Sequence, residues 1–172
     1  DESKADYIHV DMMDGNFVEA SNFGPQDIKK MFKNTTKPLD VHMMVSSPNK
    51  FVKDFAKMKN VEYLTLHAEG HRRPIDVINM IRHTDMKVGL AINPDTDISI
   101  LLPYLDKIDL ILVMSVYPGL GGQLFIEETL KKILKLKKML ESKKLNIEVS
   151  VDGGINDEVV KKLENVDIIV SG

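Results

Sequence analysis

The chain has no cysteine, which excludes disulfides, thiol nucleophiles and thiolate-held zinc at once. It has no apolar run near the roughly 20 residues needed to span a bilayer, so no membrane partner is expected. Charge of one sign is scarce as well. A formal net charge of −3 and a pI near 6.0 give no basic footprint for nucleic acid or anionic lipid. Linkers, low-complexity tracts and a second composition regime are also missing. What remains is 172 residues of ordinary hydrophobic content, 43%, enough for one domain over 1–172 with a sizeable core. The expected partners are small molecules or other protein chains, a homo-oligomer among them, and the expected compartment is the cytoplasm. Asp1-Glu2-Ser3-Lys4 resembles no signal peptide, and an upstream targeting segment is left open.

One stretch organises the rest. His9-Val10-Asp11-Met12-Met13-Asp14-Gly15 follows the apolar Tyr7-Ile8 and reads as a strand breaking into an Asp-Gly turn. Alternation puts His9, Asp11 and Met13 on one face and Val10 and Met12 on the other. An imidazole and a carboxylate two residues apart can converge on one divalent ion. Alone, such a pair is more often a structural hydrogen bond. Leu39-Asp40-Val41-His42-Met43-Met44-Val45 and Val149-Ser150-Val151-Asp152-Gly153-Gly154 supply a second His and a second Asp at strand ends.

Short apolar strands are expected at 7–13, 39–45, 63–68, 87–92, 110–116, 147–152 and 167–171. Helical patterns fall near 25–33, 48–59, 74–83, 97–106, 126–143 and 156–165. Ser47-Pro48 and Asn156-Asp157-Glu158 read as helix starts. In 126–143, Leu130, Ile133, Leu134 and Leu140 share one side, and the lysines form a solvated face. Alternating strands and helices imply a parallel sheet covered by helices. Polar residues at the ends of at least five strands (His9, Asp11, His42, His67, Asn93, Asp152) favour a closed (β/α)8 TIM barrel over an open doubly wound sheet, because a barrel gathers such ends around one mouth. Seven strands are legible where eight are needed. The expectation is therefore a barrel without its first β-α unit and final helix, with Ser3-Lys4-Ala5-Asp6 as the end of a preceding helix.

His9 to Val18, Leu39 to Val45, Gly89-Leu90-Ala91-Ile92-Asn93-Pro94, Val113 to Gln123 and Val151-Asp152-Gly153-Gly154-Ile155 resemble, in order and spacing, the motifs of the ribulose-phosphate 3-epimerase family. The resemblance implies a barrel enzyme interconverting ribulose 5-phosphate and xylulose 5-phosphate. It implies His9, Asp11, His42 and Asp152 as ligands of a divalent metal ion, with Asp11 and Asp152 as the acid/base pair. An N2O2 donor set suits Zn²⁺ first, and also Fe²⁺, Mn²⁺ or Co²⁺. Inverting a carbon beside a ketone needs a proton removed from one face and one returned to the other, which two carboxylates can do. The enediolate between needs its negative oxygen stabilised, as a Lewis acid can.

The resemblance also implies Met13, Met44 and Met114 as pocket-lining residues. It makes His42, Gly119, Leu120, Gly121, Gly122, Asp152, Gly153, Gly154 and Gly172 substrate contacts, with the glycine loops wrapping a phosphate. Tyr117 and Leu120 depart from the family, which commonly has Glu and Phe there. His67 reads as a core or supporting histidine, Asp40 as the group orienting His42 or its own strand, and Asp14 as a turn former with Gly15. The alternatives are an allulose-6-phosphate 3-epimerase on the same barrel, or a non-catalytic barrel scaffold. The related decarboxylases and aldol-type synthases use Asp-x-Lys, and His9-Val10-Asp11 offers no lysine.

Overall fold

The computed structural model describes residues 3–172. Seven strands pair in parallel with their sequence neighbours: β1 (Ile8–Met13), β2 (Leu39–Met44), β3 (Val61–His67), β4 (Lys87–Ile92), β5 (Leu110–Met114), β6 (Glu148–Asp152) and β7 (Ile168–Val170). Each lies within about two residues of its expected position. The sheet curls strongly. Were it flat, β1 and β6 would stand five strand spacings apart, about 24 Å, yet His9 Nε2 on β1 is 3.7 Å from Asp152 Oδ2 on β6. Tyr63 of β3 likewise donates its hydroxyl to Glu148 of β6. These are seven strands of a (β/α) barrel. β1 and β7 flank a seam whose cavity of about 600 Å³ is lined in part by Tyr7, His9, Ile168 and Val170.

Alternation builds two cores. Outward-facing Val41, Met43, Leu64, Leu66, Leu90, Ile111 and Val149 pack with helix residues such as Ile28, Ile78, Ile81 and Leu136. Inward-facing Tyr63, Ala91, Leu110, Leu112 and Met114 form a second, smaller cluster. The interior is tight at Gly89, where an added Cβ would lie 2.0 Å from Thr65 Oγ1. Glycine is needed there for space.

The helices are shorter than the sequence pattern implies. α1 (Pro25–Met31), α3 (Pro74–Arg82) and α4 (Glu128–Ser142) lie where expected. The 48–59 stretch is instead a 3-10 turn at Pro48–Lys50 followed by the single turn α2 (Val52–Phe55), and Ser47 makes no side-chain capping bond. Residues Ile98–Tyr104 are wholly 3-10. Pro103 lies inside them and lacks the N–H that a continuing α-ladder requires. α5 (Asp157–Val160) is one turn long, capped as expected by Asn156 Oδ1 accepting from Glu158 and Val159. On α4 the buried face is Thr129, Ile133, Leu136 and Leu140, a 3.6-residue stripe. Leu134 falls off it and is 48% exposed. Ser3 to Asp6 form bends and open chain, not a helix end. Among the described residues no helix is long and apolar enough to cross a membrane.

Filling the Gly89 position tests the interior packing. Gly89→Ala should cost about 1–3 kcal/mol in denaturant unfolding, as overpacking does. A second change, Thr65→Ala, should recover part of the loss. An unchanged midpoint in the single variant would contradict the close approach.

Candidate active site

All four ligand-type residues expected from the sequence meet inside the barrel, though only Asp152 ends its strand: Asp11 and His42 lie within β1 and β2, and His9 is the second residue of β1, not a strand end as expected. β1 contributes His9 and Asp11, β2 His42 and β6 Asp152. In register, Asp11 lies beside His42 and His9 beside Asp40, all on the inward face. Asp11 Oδ1 is 3.3 Å from His9 Nε2 and 3.0 Å from His42 Nδ1. Asp152 Oδ2 is 3.7 Å from His9 Nε2 and 4.0 Å from His42 Nδ1. One donor atom from each residue lies within 4.8 Å of the others. Two nitrogens and two carboxylate oxygens so gathered could hold a metal ion.

Each member's protonation follows from its neighbours. Burial alone would strip the proton from His9, but hydrogen bonds to Asp11 and Asp40, with Asp152 nearby, win and raise it to about 10. For Asp11, burial favours the neutral acid, and the close approach of His42 and His9 overrides it, holding the carboxyl well below the usual range. Burial pushes Asp152 up to about 6; the His9 charge opposes this, while Asp11 and Asp40 add to it. Burial pushes His42 down to about 4 despite its bond to Asp11, so its imidazole is neutral at pH 7.

The cluster opens on a cavity of about 360 Å³ lined by Asp11, Asp152 and the expected Met13, Met44 and Met114. Its rim is formed by Gly119 to Gly122, Gly153, Gly154 and Gly172. His42 is fully buried and stands one residue back from this space, bonded to Asp11. Gly153 has a φ of +119°, and a Cβ there would meet Val116 at 2.3 Å. Ser115 locks the same turn by donating to the carbonyls of Asp152 and Gly153 at 2.8 and 2.7 Å. Tyr117 and Leu120 are exposed in the rim loop, Leu120 by 73%. Gln123 holds that loop, its Nε2 donating to the carbonyls of both.

Several supporting residues differ from the sequence reading. Asp40 orients His9, not His42: its Oδ2 accepts from His9 Nδ1 at 2.8 Å, because the strand register sets Asp40 beside His9. His42 Nε2 instead meets His67 Nε2 at 2.8 Å. Asp14 does more than close its turn. It accepts from Asn16 and Phe17 on one oxygen and from the Ser46 amide and hydroxyl on the other, tying the loop after β1 to that after β2. Asn22 was not singled out, yet its amide donates to the Asp11 carbonyl and accepts from Met13 N. No sequence pattern marks it.

The fold and the cluster define the class: a (β/α)-barrel protein with an N2O2 donor set at its mouth. The chain belongs to the ribulose-phosphate 3 epimerase family, whose model matches residues 1–172. It is 37% identical over 172 residues to a ribulose-phosphate 3-epimerase of Helicobacter pylori, covering 99% of this chain and 79% of that protein. The enzyme of that name from Bacillus subtilis is 39% identical over 155 residues, covering 90% and 71%. That from Synechocystis is 42% identical over 157 residues, covering 90% and 68%. Among solved structures, a tryptophan synthase α-subunit of Pyrococcus furiosus superposes with a TM-score of 0.63 at 16% identity. That match covers 86% of this chain, which spans about three-fifths (61%) of the α-subunit's length, and the likeness is one of fold.

Cation uptake by this cluster would have a definite pH sign. His9 holds a proton up to about pH 10 and Asp152 holds one up to about pH 6, and a cation must displace them. Divalent-metal affinity should therefore rise with pH, by roughly tenfold per unit above pH 6 as the His9 proton leaves, and more steeply below. Chelator competition across pH measures it. A flat profile would contradict the protonated His9.

Proposed function

We propose that this chain inverts C3 of a phosphorylated ketose, interconverting ribulose 5-phosphate and xylulose 5-phosphate. Asp11 and Asp152 are the acid/base pair, and His9, Asp11, His42 and Asp152 hold a divalent metal, Zn²⁺ first, with Fe²⁺, Mn²⁺ or Co²⁺ as the other candidates. The observation that carries this is two carboxylates from β1 and β6 meeting at one cavity floor with two imidazoles between them. Their environments push them apart, Asp11 toward the anion and Asp152 toward the acid, which is how acid and base roles are divided between like groups.

In one direction Asp11 takes the C3 proton while Asp152 donates one to the opposite face; in the other direction the roles exchange. When bound, the cation supplies positive charge against the enediolate oxygen. Met13, Met44 and Met114 make an apolar wall that keeps water from the reacting carbon. Family membership supports the phosphate assignment, and so does Gly121: a Cβ there would have nothing within 4 Å, so the protein's own packing does not demand glycine. Close approach of a ligand to the backbone would account for it. Tyr117 and Leu120 face this cavity, where the family commonly has Glu and Phe, so allulose 6-phosphate is the competitor to assay.

Asp152→Asn keeps the volume of the side chain but cannot exchange a proton. Turnover in both directions should fall by about 10²–10⁴-fold, with the unfolding midpoint within a few degrees of the parent. Most of the activity retained would remove Asp152 from the pair. The parent should turn over the pentose phosphate faster than the hexose phosphate; the reverse order would favour the allulose reading.

A further inference from the structure

Behind the cluster runs a chain of contacts that ends well outside it. Asp11 Oδ1 lies 3.0 Å from His42 Nδ1. His42 Nε2 lies 2.8 Å from His67 Nε2, and His67 Nδ1 lies 3.3 Å from Glu69 Oε2. Both imidazoles are buried, His42 fully and His67 to 2% exposure. The other oxygen of Glu69 accepts from the backbone N–H of Asn93 at 2.8 Å and from the Thr96 hydroxyl. Phe17 packs against His67 with ring centroids 4.7 Å apart and the ring planes tilted by 42°.

We infer that Glu69 is a positioning residue for the metal cluster: acting through His67, it fixes the tautomer of His42 so that Nδ1 presents a bare lone pair to the cation. This rests on the metal reading above and extends it two residues outward. The reasoning is a proton count. Three gaps separate Asp11, His42, His67 and Glu69, and one ring proton on each imidazole fills two of them. One gap must go without. Both ends are carboxylates and can only accept, but Asp11 Oδ1 also faces His9 Nε2 at 3.3 Å while Glu69 Oε2 faces His67 Nδ1, so the proton is held on His67 Nδ1. That leaves His67 Nε2 as acceptor, which holds a proton on His42 Nε2. The gap left open is the one between His42 Nδ1 and Asp11, where a cation takes the place of the third proton. A ligating histidine passes its second N–H to an acceptor; here the acceptor is another histidine, and the carboxylate stands behind that.

The polarity of this chain can be inverted without removing an atom. In Glu69→Gln the Asn93 N–H still demands an oxygen, so the new NH₂ turns toward His67 Nδ1 and donates. His67 must then carry its proton on Nε2, and His42 must carry its own on Nδ1, facing the cation. Glu69→Ala only releases His67 to choose. The isosteric change should therefore weaken metal binding more than the truncation, by about 10–100-fold for Gln and less for Ala. Stability should rank the other way, since Ala loses the contacts to Asn93 and Thr96. A packing role alone predicts that Ala is worse on both counts.

The experiment measures Zn²⁺ dissociation constants by chelator competition, with thermal unfolding, for the parent, Glu69→Gln, Glu69→Ala and Thr96→Val. Imidazole ¹⁵N–¹H correlation spectra of the parent and of Glu69→Gln accompany it. The expected result is Gln weaker than Ala in affinity but more stable, and Thr96→Val at parental affinity. His67 should be protonated at Nδ1 in the parent, with or without metal, and at Nε2 in Glu69→Gln. Parental affinity in Glu69→Gln, or His67 bare at Nδ1 in the parent, would overturn the inference. Should the parent take up no metal, the metal reading fails by itself, and the His67 spectra still decide whether Glu69 sets the polarity of the chain.

Discussion

The contact on which the structure depends is the one between β1 and β6 across the barrel interior, where His9 approaches Asp152. Neither residue is near the other in sequence, and a flat sheet would hold them far apart. The curl that joins them comes from the right-handed twist of parallel strands, and Gly89 leaves room on its inner face for Thr65 of the neighbouring strand. Register matters as much as curl. A slip of one residue in β1 would turn His9 and Asp11 outward among the helices and bring Val10 and Met12 in. The hydrophobic alternation that builds the outer core therefore also aims the polar residues at the mouth.

Gathering two carboxylates and two imidazoles in so small a volume is costly unless their charges are paired. The cluster solves this in part by itself, through a protonated His9 bridging Asp11 and Asp40. Asp152 is left with burial it cannot fully offset and shifts toward the acid. Such opposed carboxylates suit a reaction that removes a proton from one face of a carbon and returns one to the other. The supporting residues extend this order outward. Asp40 stands behind His9 and Glu69 behind His67, while Asp14 and Ser46 bind the first two loops together. The geometry of the floor is thus set by strands and by side chains that never touch the cavity.

Much of this was legible in the sequence, and the failures have physical causes. Strands were readable because alternation is local, and the four cluster residues because they are polar groups on the inward faces of apolar strands. Helices were less so. The apolar pattern over 97–106 says which residues are buried but not whether the ladder is α or 3-10, and Pro103 decided it. On α4, Leu134 and Leu136 are equally apolar, and only the packed stripe distinguishes them. The partner of Asp40 depends on the pairing of β1 with β2, a register that no single strand encodes. Glu69 was invisible for the same reason, since its partners Asn93 and Thr96 follow the next strand.

The central claim is that two carboxylates act from opposite sides of the substrate carbon, and solvent hydrogen tests it most directly. Asp11 and Asp152 come from different strands; in the proposed mechanism the substrate lies between them, so the proton returned would not be the one removed, and the donor would have taken its proton from water. Epimerisation in D₂O should give product carrying deuterium at C3 and none at C1, C4 or C5. Undiluted hydrogen at C3 after full conversion would contradict the two-carboxylate mechanism, and deuterium at C1 would mark an aldose–ketose isomerase instead.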